Sequence, residues 1–206
     1  RYLPFEPLRH RVTCLHSPMG SAKTQLMVKC SAEVETGIVV AISPSRSLTR
    51  EASNRYGIAN YQDLTGDIYK SVAICLNSVG RIALSAAAPI GALHDVGLVC
   101  LDECESLARR FFDETMKERS LVTFVALKNL LKRARRIVVA DANMSMLSIL
   151  FVRWLLDWND ESADEEVRYT EGVDPRLYEF CGSKPRVDGE MLRAFQDGCK
   201  IAVPTN

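Results

Sequence analysis

Short runs of apolar, largely β-branched residues, each followed by a stretch with helical spacing, constrain this chain more than any other feature in it. The runs lie at 12–17, 37–43, 71–76, 96–101 and 136–141, and they are apolar at consecutive rather than alternate positions. A strand with one wet face alternates. A strand apolar on both faces must be covered on both, which is the condition of a parallel sheet held between two helical layers. Helices are expected at 24–32, 45–56, 105–109, 118–134 and 145–157. In the fourth, Leu121, Phe124, Val125, Leu127, Leu130 and Leu131 recur at helical spacing as one apolar stripe. Strand alternating with helix predicts an open, doubly wound α/β fold, a mostly parallel sheet with helices on both faces.

The 206 residues suffice for one domain and part of another. Composition changes after Leu156: residues 157–166 carry six carboxylates and no base, which reads as a solvated loop. Beyond it, short strands are expected at 166–169, 177–181 and 200–203, with a helix at 188–196. Residues 1–156 thus read as one α/β domain, and 157–206 as an acidic loop and linker leading into a truncated second domain. The chain opens on Arg1 rather than Met, as a piece of something longer would. Lys and Arg (26) balance Asp and Glu (26), so nucleic-acid binding would have to come from a local patch. No apolar run approaches the length of a membrane span and no signal-peptide core is visible, so membrane and secretion readings are set aside. The seven cysteines, odd in number and several inside apolar runs, suit free thiols in an intracellular, reducing compartment.

Residues 14–24, CLHSPMGSAKT, join the first strand to its helix. A phosphate needs exposed backbone N–H groups, a helix N-terminus and a cation, and its Mg²⁺ needs a hydroxyl. The familiar phosphate loop reads GxxxxGK[ST]. Here Ser17 stands for the first glycine and Ala22 for the second, while Gly20, Lys23 and Thr24 fit. On this reading Ser17, Pro18, Met19, Gly20, Ser21, Ala22, Lys23 and Thr24 hold ATP, with Lys23 on the β- and γ-phosphates and Thr24 on Mg²⁺. Ala22 is the weightier departure: a left-handed backbone there would cost about 1–2 kcal/mol, and any other backbone little. The plainer reading is a loop capping an ordinary helix, with Lys23 in solvent.

A second feature bears on that choice. GLVCLDECE (97–105) is an apolar strand ending in Asp102 and Glu103. Acids at the carboxyl end of a parallel strand lie on the edge where ligands bind in such sheets. Asp102 is placed to hold Mg²⁺, directly or through water, and Glu103 to orient and deprotonate a water. Alone, such a pair is most often a helix cap. After a phosphate loop, it completes a nucleotide site.

Taken in order, SPMGSAKT, ISPSRSLTREASNRYG, VAICLNSVGR, LVCLDECES and VVADANMS resemble the motifs of superfamily 2 helicases. More narrowly, they resemble the helicase region of the herpesvirus origin-binding proteins and related plasmid and phage replication proteins. The likeness covers roughly residues 11–156 and implies a RecA-like P-loop NTPase domain of an ATP-dependent helicase. It assigns catalysis to Lys23, Asp102 and Glu103 and contacts with the sugar-phosphate backbone to Ser43, Arg46 and Ser47. Ser78 and Arg81 match a further strand-contacting turn, where Val79 replaces the usual Leu. Asp141, Ala142 and Asn143 match the turn that links nucleotide state to strand grip. Cys104 and Glu105 depart from the last two letters of a DEAH-type box. Implied partners are a single strand, DNA rather than RNA, a second RecA-like domain of the same protein, and further copies of the protein or other replication proteins. Because in-line attack draws positive charge from that second domain, these residues alone are expected to bind nucleotide weakly and hydrolyse it little.

The alternative is a non-hydrolysing P-loop module kept as a nucleic-acid or protein binding platform. The lost glycines motivate it, and the retained Lys23, Thr24, Asp102 and Glu103 oppose it. A small-molecule kinase would not need Arg46, Ser78 and Asp141. Cys14-x-His16 and Cys100-x₃-Cys104 lack further ligands at zinc spacing, and Trp154 and Trp158, four apart, read as packing. Lys128, Lys132, Arg133, Arg135 and Arg136 could meet phosphates, but cations at a helix C-terminus complement its dipole in any case.

Overall fold

The computed structural model describes residues 3, 6–18, 20–82, 95–111, 113, 116, 119–159 and 162–169. Seven strands form one sheet: β1 (Val12–His16), β2 (Ile38–Ser43), β3 (Ala59–Asn60), β4 (Val72–Cys75), β5 (Val96–Asp102), β6 (Ala134–Asp141) and β7 (Glu165–Tyr169). Every pairing is parallel, in the order β3-β4-β2-β5-β6-β1-β7. Between them run α1 (Lys23–Ala32), α2 (Arg46–Tyr56), α3 (Cys104–Arg110), α4 (Ser120–Arg133) and α5 (Met146–Leu156), with 3₁₀ turns at Tyr61–Asp63 and Leu76–Arg81. The architecture is the expected α/β one and is consistent with a RecA-like P-loop domain.

The doubly apolar strands explain the two layers. Val12, Cys14, Val40, Ile42, Ile74, Val99, Leu101, Ile137 and Val139 face one core, packed with Leu107, Leu127, Leu130, Phe151 and Leu155 of α3, α4 and α5. The intervening residues Leu15, Val39, Ala41, Leu98, Cys100, Val138 and Ala140 face the other, with Leu26 and Met27 of α1 and Ala52 of α2. A period-two side-chain pattern apolar at both phases thus buries both faces. Trp154 packs on Phe124, ring centroids 4.3 Å apart, and Trp158 lies under the Arg11 guanidinium at 5.7 Å, so both tryptophans serve packing. Cys14, Cys30, Cys75, Cys100 and Cys104 are buried free thiols, and burial raises the thiol pKa of Cys14, Cys30, Cys100 and Cys104.

What the sheet does for function is set by register. His16 lies opposite Asp141, Asp102 opposite Ala140, Leu101 opposite Ile42, and Ser43 opposite Cys75. Segments far apart in the chain therefore end along one carboxyl edge.

The strand expected at 166–169 forms one residue longer and pairs with β1, so residues 165–169 extend the same sheet. The acidic segment before it is more than a solvated loop. Asp157 accepts from Lys128 and Lys132, Asp164 from His10 and from the Arg11 backbone, Glu165 from Arg153, and Glu166 from Thr13 and Arg168. The expected elements at 177–181, 188–196 and 200–203 lie outside the described residues. No helix among the described residues is long and apolar enough to cross a membrane.

Candidate functional site

The turn from β1 into α1 reverses the chain through two left-handed residues, Gly20 at φ 78° and Ala22 at φ 66°. Glycine adopts this backbone freely; alanine does so against its own methyl. The open question in the sequence is thereby answered unfavourably for Ala22, which is also the residue that caps α1. Replacing it with glycine is expected to raise stability by about 1 kcal/mol, because strain outweighs the added freedom of the unfolded chain. Thermal unfolding of Ala22→Gly checks this; a lowered Tm would contradict the strain.

The α1 terminus has no side-chain cap and no acid in its first turn. The Leu26 amide is the first to bond back, to the Ala22 carbonyl at 3.0 Å, so the amides of Lys23, Thr24 and Gln25 have no acceptor within the helix. The Ser21 hydroxyl, one residue earlier, is buried and has no hydrogen-bond partner. Lys23 donates from Nζ to the Ser17 carbonyl and, at 2.9 Å, to the Pro18 carbonyl. Burial lowers the pKa of its ammonium, while the nearby Asp102 and Asp141 carboxylates act the other way. Thr24 is half-buried in the first turn, and Met19 lies outside the described residues.

Asp102 ends β5, half-buried, and Glu103 follows in a left-handed conformation, exposed, at the head of α3. Burial, followed by the neighbouring Glu103 charge, raises the Asp102 pKa to about 6. Asp141 is a junction. Its buried carboxylate accepts from the Glu105 amide at 2.8 Å and from the Asn143 amide at 2.8 Å, and its carbonyl accepts from the Ser17 amide at 3.4 Å. One residue thus ties the β1–α1 loop, the Asp-Glu turn and the 141–143 turn together.

Three further residues of this network, Glu105, Ser145 and Ser148, escape a reading of the sequence. Glu105, an apparent departure from a motif, is buried and accepts from Ser145 Oγ at 2.6 Å and Ser148 Oγ at 2.8 Å, so it joins α3 to α5; Arg109 donates to its other oxygen. The spacing of Ser145 and Ser148 places them on one side of α5, a signal without an address. Cys104 is fully buried in the core. His16 is buried opposite Asp141, bonded to the Ala142 backbone, and burial lowers its pKa, so the ring is neutral at pH 7.

The remaining stations follow the carboxyl ends of β2, β4 and β6. Ser43 is buried with its hydroxyl unpartnered, while Arg46 and Ser47 are exposed in the first turn of α2. Ser78 is half-buried. Arg81 is committed to its own surroundings, donating to the carbonyls of Tyr61 (3.1 Å), Leu64 (2.7 Å) and Gly66 (3.1 Å), which braces the 61–66 loop. Ala142 is half-buried and Asn143 exposed.

Comparison with known proteins gives one concordant result. The sequence model for the origin of replication binding protein family matches residues 2–155. The replication origin-binding protein of bovine herpesvirus 1.1 (strain Cooper) is 29% identical over 149 residues, covering 66% of this chain and 16% of that protein. That of equine herpesvirus 1 (strain Ab4p) is 25% identical over 163 residues, 72% of this chain and 18% of that protein. A relative from Acanthamoeba polyphaga mimivirus is 24% identical over 152 residues, 69% of this chain and 19% of its own length. The matched part of the chain spans less than a fifth of the length of these relatives.

Proposed function

The chain belongs to the origin of replication binding protein family, and on that footing we propose that it is the ATP-binding first motor domain of a nucleic-acid-dependent ATPase, a superfamily 2 helicase acting in DNA replication. The observation that carries this reading is the uncapped N-terminus of α1, with Lys23 and Thr24 at its head, on the same sheet edge as Asp102 and Glu103. A Mg²⁺-bound triphosphate fits these residues: free helix-terminal amides, a buried unpartnered Ser21 hydroxyl, one ammonium, one hydroxyl and one carboxylate. When bound, Mg²⁺ neutralises charge building on the phosphates.

Lys23, which donates to the Ser17 and Pro18 carbonyls, would turn to phosphate oxygens, and Thr24 and Asp102 would hold the metal. Glu103, exposed at the head of α3, orients a water and takes its proton. Asp141 and Glu105 keep the Asp-Glu turn in fixed relation to the phosphate loop and α5. Arg46, Ser47 and Ser78 offer donors to a single strand of DNA along the same edge, and a second RecA-like domain of the longer protein supplies the missing positive charge.

The test is ATP turnover by the longest natural version of the protein, with and without single-stranded DNA and RNA. Turnover stimulated by DNA supports the motor. The left-handed Ala22 favours the alternative, a non-hydrolysing platform, and that reading wins if no turnover is seen and strand binding ignores nucleotide.

A pH dependence follows from Asp102. With its pKa raised to about 6 by burial, the carboxyl takes up a proton in the metal-free protein as pH falls below that value. Mg²⁺ must then displace the proton, so Mg²⁺–nucleotide affinity is expected to be flat above about pH 7 and to weaken by up to about tenfold per unit well below pH 6. For the metal-free fold the sign is opposite: the folded state binds this proton more tightly than the unfolded chain, so Asp102 adds stability as pH drops through 6. Titrating a fluorescent nucleotide at pH 5, 6 and 7 checks the first; an affinity unchanged across that range counts against it.

A further inference from the structure

At the opposite, amino edge of the sheet, the acidic segment meets the basic end of α4. Asp157 closes α5 in a left-handed backbone at φ 56°, its amide bonded to the Arg153 and Trp154 carbonyls. Glycine is the usual occupant of such a helix-ending position. An aspartate there needs a reason, and its side chain supplies one: Oδ1 accepts from Lys128 Nζ at 2.7 Å and Oδ2 from Lys132 Nζ at 2.5 Å. The two lysines are one helical turn apart on α4, a rise of about 6 Å. One carboxylate centre thus presents two anionic oxygens to two ammonium groups, as the non-bridging oxygens of a phosphodiester would.

Dipole complementation accounts for Lys132, in the last turn of α4, but not for Lys128 a turn earlier. The carbonyls at the end of α4 are met by Arg11, which donates to those of Leu131 (3.3 Å), Lys132 (2.8 Å) and Ala134 (3.3 Å). Arg136 is exposed on β6 in register with Leu98, toward the other layer of the sheet.

We propose that this amino edge is a second nucleic-acid contact surface, with Lys128 and Lys132 as sequence-independent phosphate ligands and Asp157 as the internal anion that a phosphate displaces. The surface is separate from the nucleotide site, so it stands or falls independently of ATP turnover. A phosphate backbone is favoured over an acidic protein because the bridging anion has the two-oxygen geometry of a phosphodiester and the family is named for binding replication origins.

The test measures binding of a labelled mixed-sequence duplex DNA and of its single strand, without nucleotide, across a salt series. It uses the longest natural protein and its Asp157→Asn, Asp157→Gly and Lys128→Gln/Lys132→Gln variants. Asparagine and glycine both accept the left-handed backbone, so neither change need disturb the fold, and thermal unfolding verifies that. Removing the internal anion is expected to tighten binding and to steepen the salt dependence by about one to two released ions. The double lysine variant is expected to weaken binding and to abolish that gain when combined with Asp157→Asn. Unchanged affinity and salt slope in both aspartate variants overturns the proposal. So does polyglutamate of equal charge competing as well as DNA, which would assign the patch to an acidic protein.

Discussion

Removing the Asp141 carboxylate, as in Asp141→Ala, is expected to destabilise the domain by about 1.5–4.5 kcal/mol, since the buried Glu105 amide loses its acceptor at about 1–3 kcal/mol and the part-buried Asn143 amide loses a bond worth about 0.5–1.5 kcal/mol. The amides are those of Glu105 and Asn143, each 2.8 Å from a different carboxylate oxygen. The bond from the Ser17 amide goes to the Asp141 carbonyl and survives any side-chain change. Asp141→Asn should therefore fall between: its oxygen keeps one amide, and its NH₂ meets the other donor to donor. Urea unfolding of the two variants gives the ordering, and an Ala variant within about 0.5 kcal/mol of the parent, the range of an ordinary surface change, would show that the junction is not a structural one.

Lys23→Ala and Glu103→Gln are expected to separate binding from chemistry. The lysine ammonium makes charge-assisted bonds worth about 1.5–3 kcal/mol, so its loss should weaken nucleotide binding by about one to two powers of ten. Glu103 touches no phosphate in the proposed arrangement. Its glutamine variant should bind nucleotide as the parent does while turnover falls by about 10²–10⁴-fold, the span that a general base commands. Equal losses of affinity in both variants would place Glu103 on the ligand rather than on the water and would require a different base.

Ala22 sharpens the interpretation of both experiments. Its left-handed backbone shows that the loop keeps the shape a glycine would give it, at the cost of a strained methyl. Open space surrounds the Gly20 Cα, where an added Cβ would meet nothing within 4 Å, so the loop there is bounded by backbone conformation and not by packing. The substitution therefore bears first on stability and only through stability on the site.

Much of this was legible before any coordinates. Consecutive apolar positions at 12–17, 37–43, 71–76, 96–101 and 136–141 predict strands buried on both faces, and each is found in the parallel sheet. The two-residue β3 escaped notice because two residues carry no periodicity. The role of Glu105 is not legible for a different reason: it depends on Ser145 and Ser148, which reach it only after β6 has brought α5 alongside α3. The acidic run at 157–166 looked like a solvated loop because its partners, Lys128, Lys132, His10 and Arg153, are contributed by other elements.

The sequence by itself determined the fold class, the order of strands and helices, and the chemical types gathered in the loop, the Asp-Glu turn and the 141–143 turn. These depend on local periodicity and on short motifs, which act over a few residues. Only the tertiary structure decided that Ala22 is left-handed, that Asp141 joins three motifs and that Asp157 bridges two lysines. Those outcomes depend on which strand lies beside which, and the register that aligns His16 with Asp141 and Asp102 with Ala140 is set by packing across the whole sheet rather than by any neighbouring residue.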